Sequence, residues 1–197
     1  MVTYIARILA GCGLLASPQA DLGEVPQFLR GADADIRPAA ESAALWMGDR
    51  IPVVYTDEAH ARGVARPAKI KFNENSKRPA MFGALPEANH NEMIGFASPL
   101  AEFGVLYLHD PESHPLVRRR FAAMEELFDR EGFDHVAFRE WEMPGRTRVQ
   151  RVFAALAYAE RCSYTLALLD GVDPTPVDLV EAFKGILDSP RLRAARR

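Results

Sequence analysis

Apolar positions recur along the chain with two periods, and the alternation between them predicts the architecture. Ile5, Ile8, Leu9 and Cys12 fall at i, i+3, i+4 and i+7, an amphipathic helix over 3–12 that Gly11 and Gly13 stop. From 17 to about 38 the pattern weakens among Ala, Asp, Gly and Pro, which reads as a connector holding a short helix at 24–30. A third helix is expected over 39–48. Residues 51–56, Ile-Pro-Val-Val-Tyr-Thr, form a continuous β-branched and aromatic run followed by polar residues, the mark of a strand buried on both faces of a parallel sheet.

A helix over 67–77 opens with Pro67 in its first turn and must end before Pro79; it places Ile70, Asn73, Glu74 and Lys77 on one face. Residues 103–109 read as the second strand, turned by Asp110-Pro111. Ser113 is the expected N-cap of a helix over 114–130, where Val117, Phe121, Met124 and Phe128 repeat before Gly132. A third strand is expected at 135–140. A long helix over 147–169 follows, with Val149, Val152, Phe153 and Leu156 on its core face, and a last helix over 176–188 starts at Thr175-Pro176.

Strands alternating with helices predict an α/β three-layer sandwich, a mainly parallel sheet flanked by helices and built from right-handed crossovers, preceded by a short helical segment. A further strand is expected to be hidden, for example near 93–96. The organisation reads as a helical leader and connector over 1–40, one main domain over 41–190 and a basic tail over 191–197.

The length of 197 residues fits one domain with room for an appendage, and 48% apolar content is enough to bury a core. The net charge of −3, with both signs interspersed, gives no footprint for nucleic acid or an anionic membrane. The basic runs at 118–120 and 191–197 read as a solvated helix face and a frayed tail. Cys12 and Cys162, far apart in apolar helical contexts, point to a reducing compartment, hence the cytoplasm. The N-terminal stretch lacks the basic start of a secretory signal, and Arg7 interrupts its apolar run. No stretch reads as long enough to span a bilayer. There is neither a GxGxxG nor a GxxxxGK phosphate loop.

Candidate chemistry gathers over 72–96, where acids, amides, a histidine and helix breakers depart from any packing period. Glu74 either pairs with Lys77 on the helix surface or, flanked by Asn73 and Asn75, stands at a helix end as a general base. His90 sits in Asn89-His90-Asn91-Glu92, either a loop histidine with satisfied bonds or an imidazole oriented by its polar neighbours. A metal site from His90, Glu92, His109 and His114 is the weaker alternative, because no pair has the i, i+4 spacing of a helical metal motif. Lys184 lies in the last helix within the stripe that should face the core, a snorkelling stem or an ammonium aimed at substrate.

Four stretches together carry a resemblance: Ile51-Pro52-Val53-Val54-Tyr55, Phe72-Asn73-Glu74-Asn75-Ser76-Lys77, the run from Pro86-Glu87 through Asn89-His90-Asn91-Glu92-Met93-Ile94-Gly95-Phe96, and Asp173-Pro174-x-Pro176-Val177 with Phe183-Lys184. They resemble the C-terminal half of the bifunctional phosphoglucose/phosphomannose isomerases, members of the sugar-isomerase (SIS) domain superfamily, over about residues 40–190. The resemblance implies aldose–ketose isomerisation of hexose 6-phosphates through a cis-enediol. It implies that His90 assists ring opening, Glu74 carries the proton between C2 and C1, and Lys184 stabilises the enediolate. Asn73, Asn75, Asn91 and Glu92 are the implied substrate contacts, with no metal and no cofactor.

The departures matter as much. The first SIS lobe of such enzymes, with its Ser/Thr-rich phosphate loop, has no counterpart here, and residues 1–15 resemble the helix that follows that lobe. The chain is therefore expected to act as the second half of an isomerase, a truncated gene product or one partner of a split enzyme, completed by a partner lobe or a homodimer. In the family the histidine reaches the site across a dimer interface. Val177 stands near a position that some members give to a polar substrate contact. The alternative is a phosphosugar-binding or oligomerising module without chemistry; it lacks the basic recognition helix of a regulator.

Overall fold

The computed structural model describes residues 2–14, 19–98 and 100–188. Four strands, β1 (Ile51–Asp57), β2 (Met81–Leu85), β3 (Phe103–His109) and β4 (Val136–Glu142), pair in the order β2-β1-β3-β4. Every pairing is parallel, with Val53 opposite Met81, Val53 opposite Val105, and Phe103 opposite Val136. The helices are α1 (Val2–Gly11), α2 (Gln19–Met47), α3 (Arg66–Asn75), the single turn α4 (Ala88–Asn91), α5 (Pro115–Arg130), α6 (Arg148–Leu169) and α7 (Asp178–Leu187).

The central strands β1 and β3 are buried from their second residue onward. Their side chains alternate between two cores, as period two requires. Val54, Leu106 and Leu108 pack with Phe72, Met47 and Tyr158 beneath α2, α3 and α6. Val53, Tyr55, Val105 and Tyr107 pack with Phe121, Met124 and Phe128 of α5 and with Phe96. This is the expected three-layer α/β sandwich.

Several local expectations give way to packing. The region read as a connector with two short helices is one helix of 29 residues, α2, with Pro26 and Pro38 inside it. A proline in a helix interior costs about 3 kcal/mol. Here Ile36, Ala40, Ala43, Ala44 and Met47 are nearly fully buried, and small side chains let α2 lie close against α6, which offsets that cost. The boundary drawn at residue 40 falls inside this helix.

The hidden strand is β2, whereas 93–97 forms a 3-10 turn. With only five residues, Gly83 at its centre and exposed Met81 and Phe82, an edge strand lacks the apolar run that identifies a central one. The N-cap of α5 is His114, whose Nδ1 accepts from Leu116 N, and Ser113 is drawn instead to Asp57. By length and composition α6 could cross a membrane, contrary to the sequence reading, but its apolar face (Ala154, Ala155, Tyr158, Ala159, Cys162, Leu166) is spent on the core. The expected basic tail lies outside the described residues.

Candidate active site

The Asn-Glu-Asn-Ser-Lys run ends α3, and most of it works to end it. Ser76 Oγ donates to Phe72 O at 2.7 Å, and Asn73 Nδ2 donates to Arg78 O at 2.7 Å. Lys77 adopts the left-handed conformation, φ 58°, the usual geometry just past a helix end. Its ammonium donates to the Glu74 backbone carbonyl and, at 3.1 Å, to Pro174 O. The helix-surface Glu74–Lys77 ion pair allowed by the sequence is therefore not formed. Asn75 reaches across to Ser163 Oγ on α6 at 2.9 Å. Of the whole run, Glu74 alone carries a side chain that is exposed and has no hydrogen bond or ion pair among the described residues.

Because α3 returns antiparallel to the strands, its C-terminus lies at the edge of the sheet where strands begin. Arg78 marks the place: it donates to Arg50 O at 3.2 Å just before β1 and pairs with Asp170 at the end of α6 at 2.6 Å. The loop from Asp170 to α7, held by Lys77 at Pro174, lies at the same edge. Lys184 on α7 is thus carried by the segment that leaves Glu74's end of the molecule.

α7 does not behave as its pattern predicts. None of its residues is buried, and Leu179, Phe183 and Ile186 are exposed. The stripe containing Lys184 faces no core among the described residues, and Lys184 pairs with Glu181 at 2.6 Å. A helical pattern reports an apolar face, not what covers it.

His90 belongs to the other face of the sheet, where Ala88 of the same turn is buried. It follows the C-terminal end of β2, on α4, and is exposed. Its neighbours hold the turn: Asn91 Nδ2 donates to Glu87 Oε1 at 2.7 Å, Asn89 lies against the sulfurs of Met93 and Met124 at 3.4 Å, and Glu92 Oε2 accepts from Tyr55 at 2.8 Å. His90 lines a groove of about 310 Å³ with Asn89, Met93, Ile94, Leu127 and Glu131. Phe72 of α3 packs into one core and Ala88 of α4 into the other, so Glu74 and His90 are brought to opposite faces of one sheet. Among the described residues no three His, Cys, Asp or Glu side chains cluster to hold a metal ion.

The sequence reading missed a buried charge network where β1 and β3 end. His60 Nδ1 lies 2.8 Å from Asp57 Oδ1, and its Nε2 lies 3.1 Å from Asp110 Oδ2. Arg151 Nε lies 2.9 Å from Asp110 Oδ1, and Arg151 also pairs with Glu112. The Nε2 and Nε contacts are close but off line for hydrogen bonds, and the Arg151–Asp110 contact acts as a charge pair. The available signal was position: Asp57 and Asp110 close two central parallel strands, where polar groups of this fold collect.

Burial alone would raise the Asp57 carboxyl, but hydrogen bonds from His60 and Ser113 overcome it and hold the group below the usual carboxylate range. A lowered native value stabilises the fold above the ordinary aspartate pKa of about 3.9 and is lost as pH falls through the native value. Asp57→Asn is therefore expected to lower the urea midpoint at neutral pH and to match the parent once both are acidified. A difference that persists in acid would assign the loss to shape instead of charge.

Residues 37–187 match the family described as bacterial phospho-glucose isomerase C-terminal SIS domain. A bifunctional phosphoglucose/phosphomannose isomerase from Caldicellulosiruptor bescii is 30% identical over 153 residues, covering 75% of this chain and 44% of that relative. Its counterpart from Aquifex aeolicus is 33% identical over 136 residues, 68% of this chain and 41% of the relative. The chain thus spans less than half the length of these two curated relatives. Among solved structures, a glucose-6-phosphate isomerase like protein from Thermus thermophilus superposes with TM-score 0.66 at 20% identity, covering 93% of this chain and 60% of that one. That likeness concerns the fold.

Proposed function

Because the chain belongs to the family of bacterial phosphoglucose isomerase C-terminal SIS domains, we propose that it supplies the second half of an aldose–ketose isomerase site for hexose 6-phosphates, interconverting glucose or mannose 6-phosphate with fructose 6-phosphate. The observation that carries this reading is the division of labour at the end of α3. Asn73, Asn75, Ser76 and Lys77 are engaged in ending and docking the helix, and Glu74 is the side chain left over.

In this reading the Glu74 carboxylate takes the proton from C2, passes it to C1 of the cis-enediol, and is regenerated. A positioned base of this kind contributes about 10²–10⁴-fold. The ammonium of Lys184 offsets the negative charge that develops on the enediolate oxygen. His90, exposed on the opposite face of the sheet, serves ring opening in a neighbouring subunit of a homodimer. Asn73 and Asn75 border the sugar beside Glu74, Asn91 and Glu92 border the neighbouring subunit's sugar beside His90, and the reaction asks nothing of a cofactor or metal. The phosphate grip comes from a partner lobe, which also supplies the missing cover for α7. The free cysteines, Cys12 exposed and Cys162 buried, suit a reducing cytoplasm.

Without the phosphate anchor the reacting carbons are poorly placed, so binding energy is lost from the transition state as well as from affinity. The chain alone is expected to be nearly inactive in a coupled fructose 6-phosphate assay and to gain turnover when the first half of the Aquifex aeolicus relative is supplied in trans. Robust turnover by the chain alone would refute the half-site. Binding of fructose 6-phosphate without turnover in either case would favour a sensing module.

A further inference from the structure

Tyr55 reads in the sequence as plain strand core, yet its hydroxyl has a specific partner. The side chain is fully buried in β1, and its Oη donates to Glu92 Oε2 at 2.8 Å. Burial first, then the Glu92 charge and this bond, raise the hydroxyl far above the usual tyrosine range, so it remains a donor at neutral pH. Gly83 on β2 lies against both groups. A Cβ at that position would stand 2.8 Å from Glu92 Oε1 and 2.8 Å from Tyr55 Cε1. Two strands therefore converge on one carboxylate, and the glycine leaves the space it occupies.

That carboxylate is placed to hold His90. Glu92 is at once the C-cap of α4 and the N-cap of the 3-10 turn that follows, two residues beyond His90. α4 is four residues long and has no side-chain bond at its N-cap, too short to hold itself together. Its remaining side-chain ties are the local Asn91–Glu87 bond and weak contacts of Asn89 to sulfur. The bond to Tyr55 fixes the turn to the sheet.

We propose that Tyr55 is a positioning residue for His90, acting through Glu92, with Gly83 providing the room the strut needs. The inference rests on the reading of His90 as the ring-opening group, but its structural part can be tested apart from activity.

Tyr55→Phe removes the hydroxyl and keeps the ring. At fixed neutral pH, the His90 imidazole of the parent chain should give a single sharp carbon-bound proton resonance. In Tyr55→Phe, and in Gly83→Ala where the new methyl displaces Glu92, that resonance should broaden or split while the chain stays folded. Glu92→Gln, whose amide oxygen still accepts from Tyr55, should retain the parent signal. In the complemented enzyme Tyr55→Phe should lower kcat about 10-fold with little change in KM, the worth of one hydrogen bond to a charged group. An unchanged His90 resonance in both Tyr55→Phe and Gly83→Ala would overturn the strut. A broadened or split resonance with unchanged kcat would uphold the strut and overturn the role given to His90.

Discussion

Replacing Glu74 by glutamine is expected to lower fructose 6-phosphate turnover in the complemented enzyme by about 10²–10⁴-fold, because glutamine keeps the shape of the side chain and loses the base. The position suits a clean test. Glu74 is exposed, and the bonds that end α3 are made by Asn73, Ser76 and Lys77, none of them to its carboxylate. A surface substitution of this kind changes stability by no more than about 0.5 kcal/mol. The thermal midpoint should therefore stay where it is while kcat falls, and KM should change little, since the lost interaction is made with the proton in flight. Turnover that survives Glu74→Gln would remove Glu74 from the chemistry; a lowered midpoint would show the carboxylate to be structural instead.

Much of the fold was legible because the central strands are unambiguous. Residues 51–57 and 103–109 carry continuous β-branched and aromatic runs, and burial on both faces leaves no other reading. The edge strand β2 was not legible, since one flank of it faces no partner strand among the described residues and Gly83 interrupts it. Nor was the continuity of α2. Pro26 and Pro38 argue locally against a helix, and only the apposition of Ala40, Ala43 and Ala44 with α6, a contact between segments more than a hundred residues apart, decides otherwise.

For the site, the sequence identified the residue types at the end of α3 and on α4, but not how far apart they lie. Glu74 and His90 are sixteen positions apart, and the intervening edge strand β2 carries the chain from the face covered by α3 to the face where α4 packs. Tyr55 escaped for a related reason: a tyrosine in a buried strand looks like core until a carboxylate from another segment is seen on its hydroxyl.

The charge network at the strand ends leads to the other large effect. Arg151 is among the largest fully enclosed side chains, 2% exposed, and it faces Asp110, itself 3% exposed. Asp110 also faces His60, which in turn bonds Asp57, so the guanidinium from α6 is linked through Asp110 and His60 to the carboxylate that ends β1. Arg151→Met keeps the apolar stem and deletes the charge. It is expected to cost about 3–5 kcal/mol in urea unfolding, the usual penalty when one partner of a buried pair is removed and the other stays charged. Adding Asp110→Asn should return part of that loss, because the amide leaves no stray charge to desolvate, so the two effects should combine to less than their sum. A loss below about 1 kcal/mol for Arg151→Met would place the pair in the class of exposed ion pairs. The strand ends would then be held by the packing of α6 and by the bonds of Asp57 to His60 and Ser113, which do not involve Arg151.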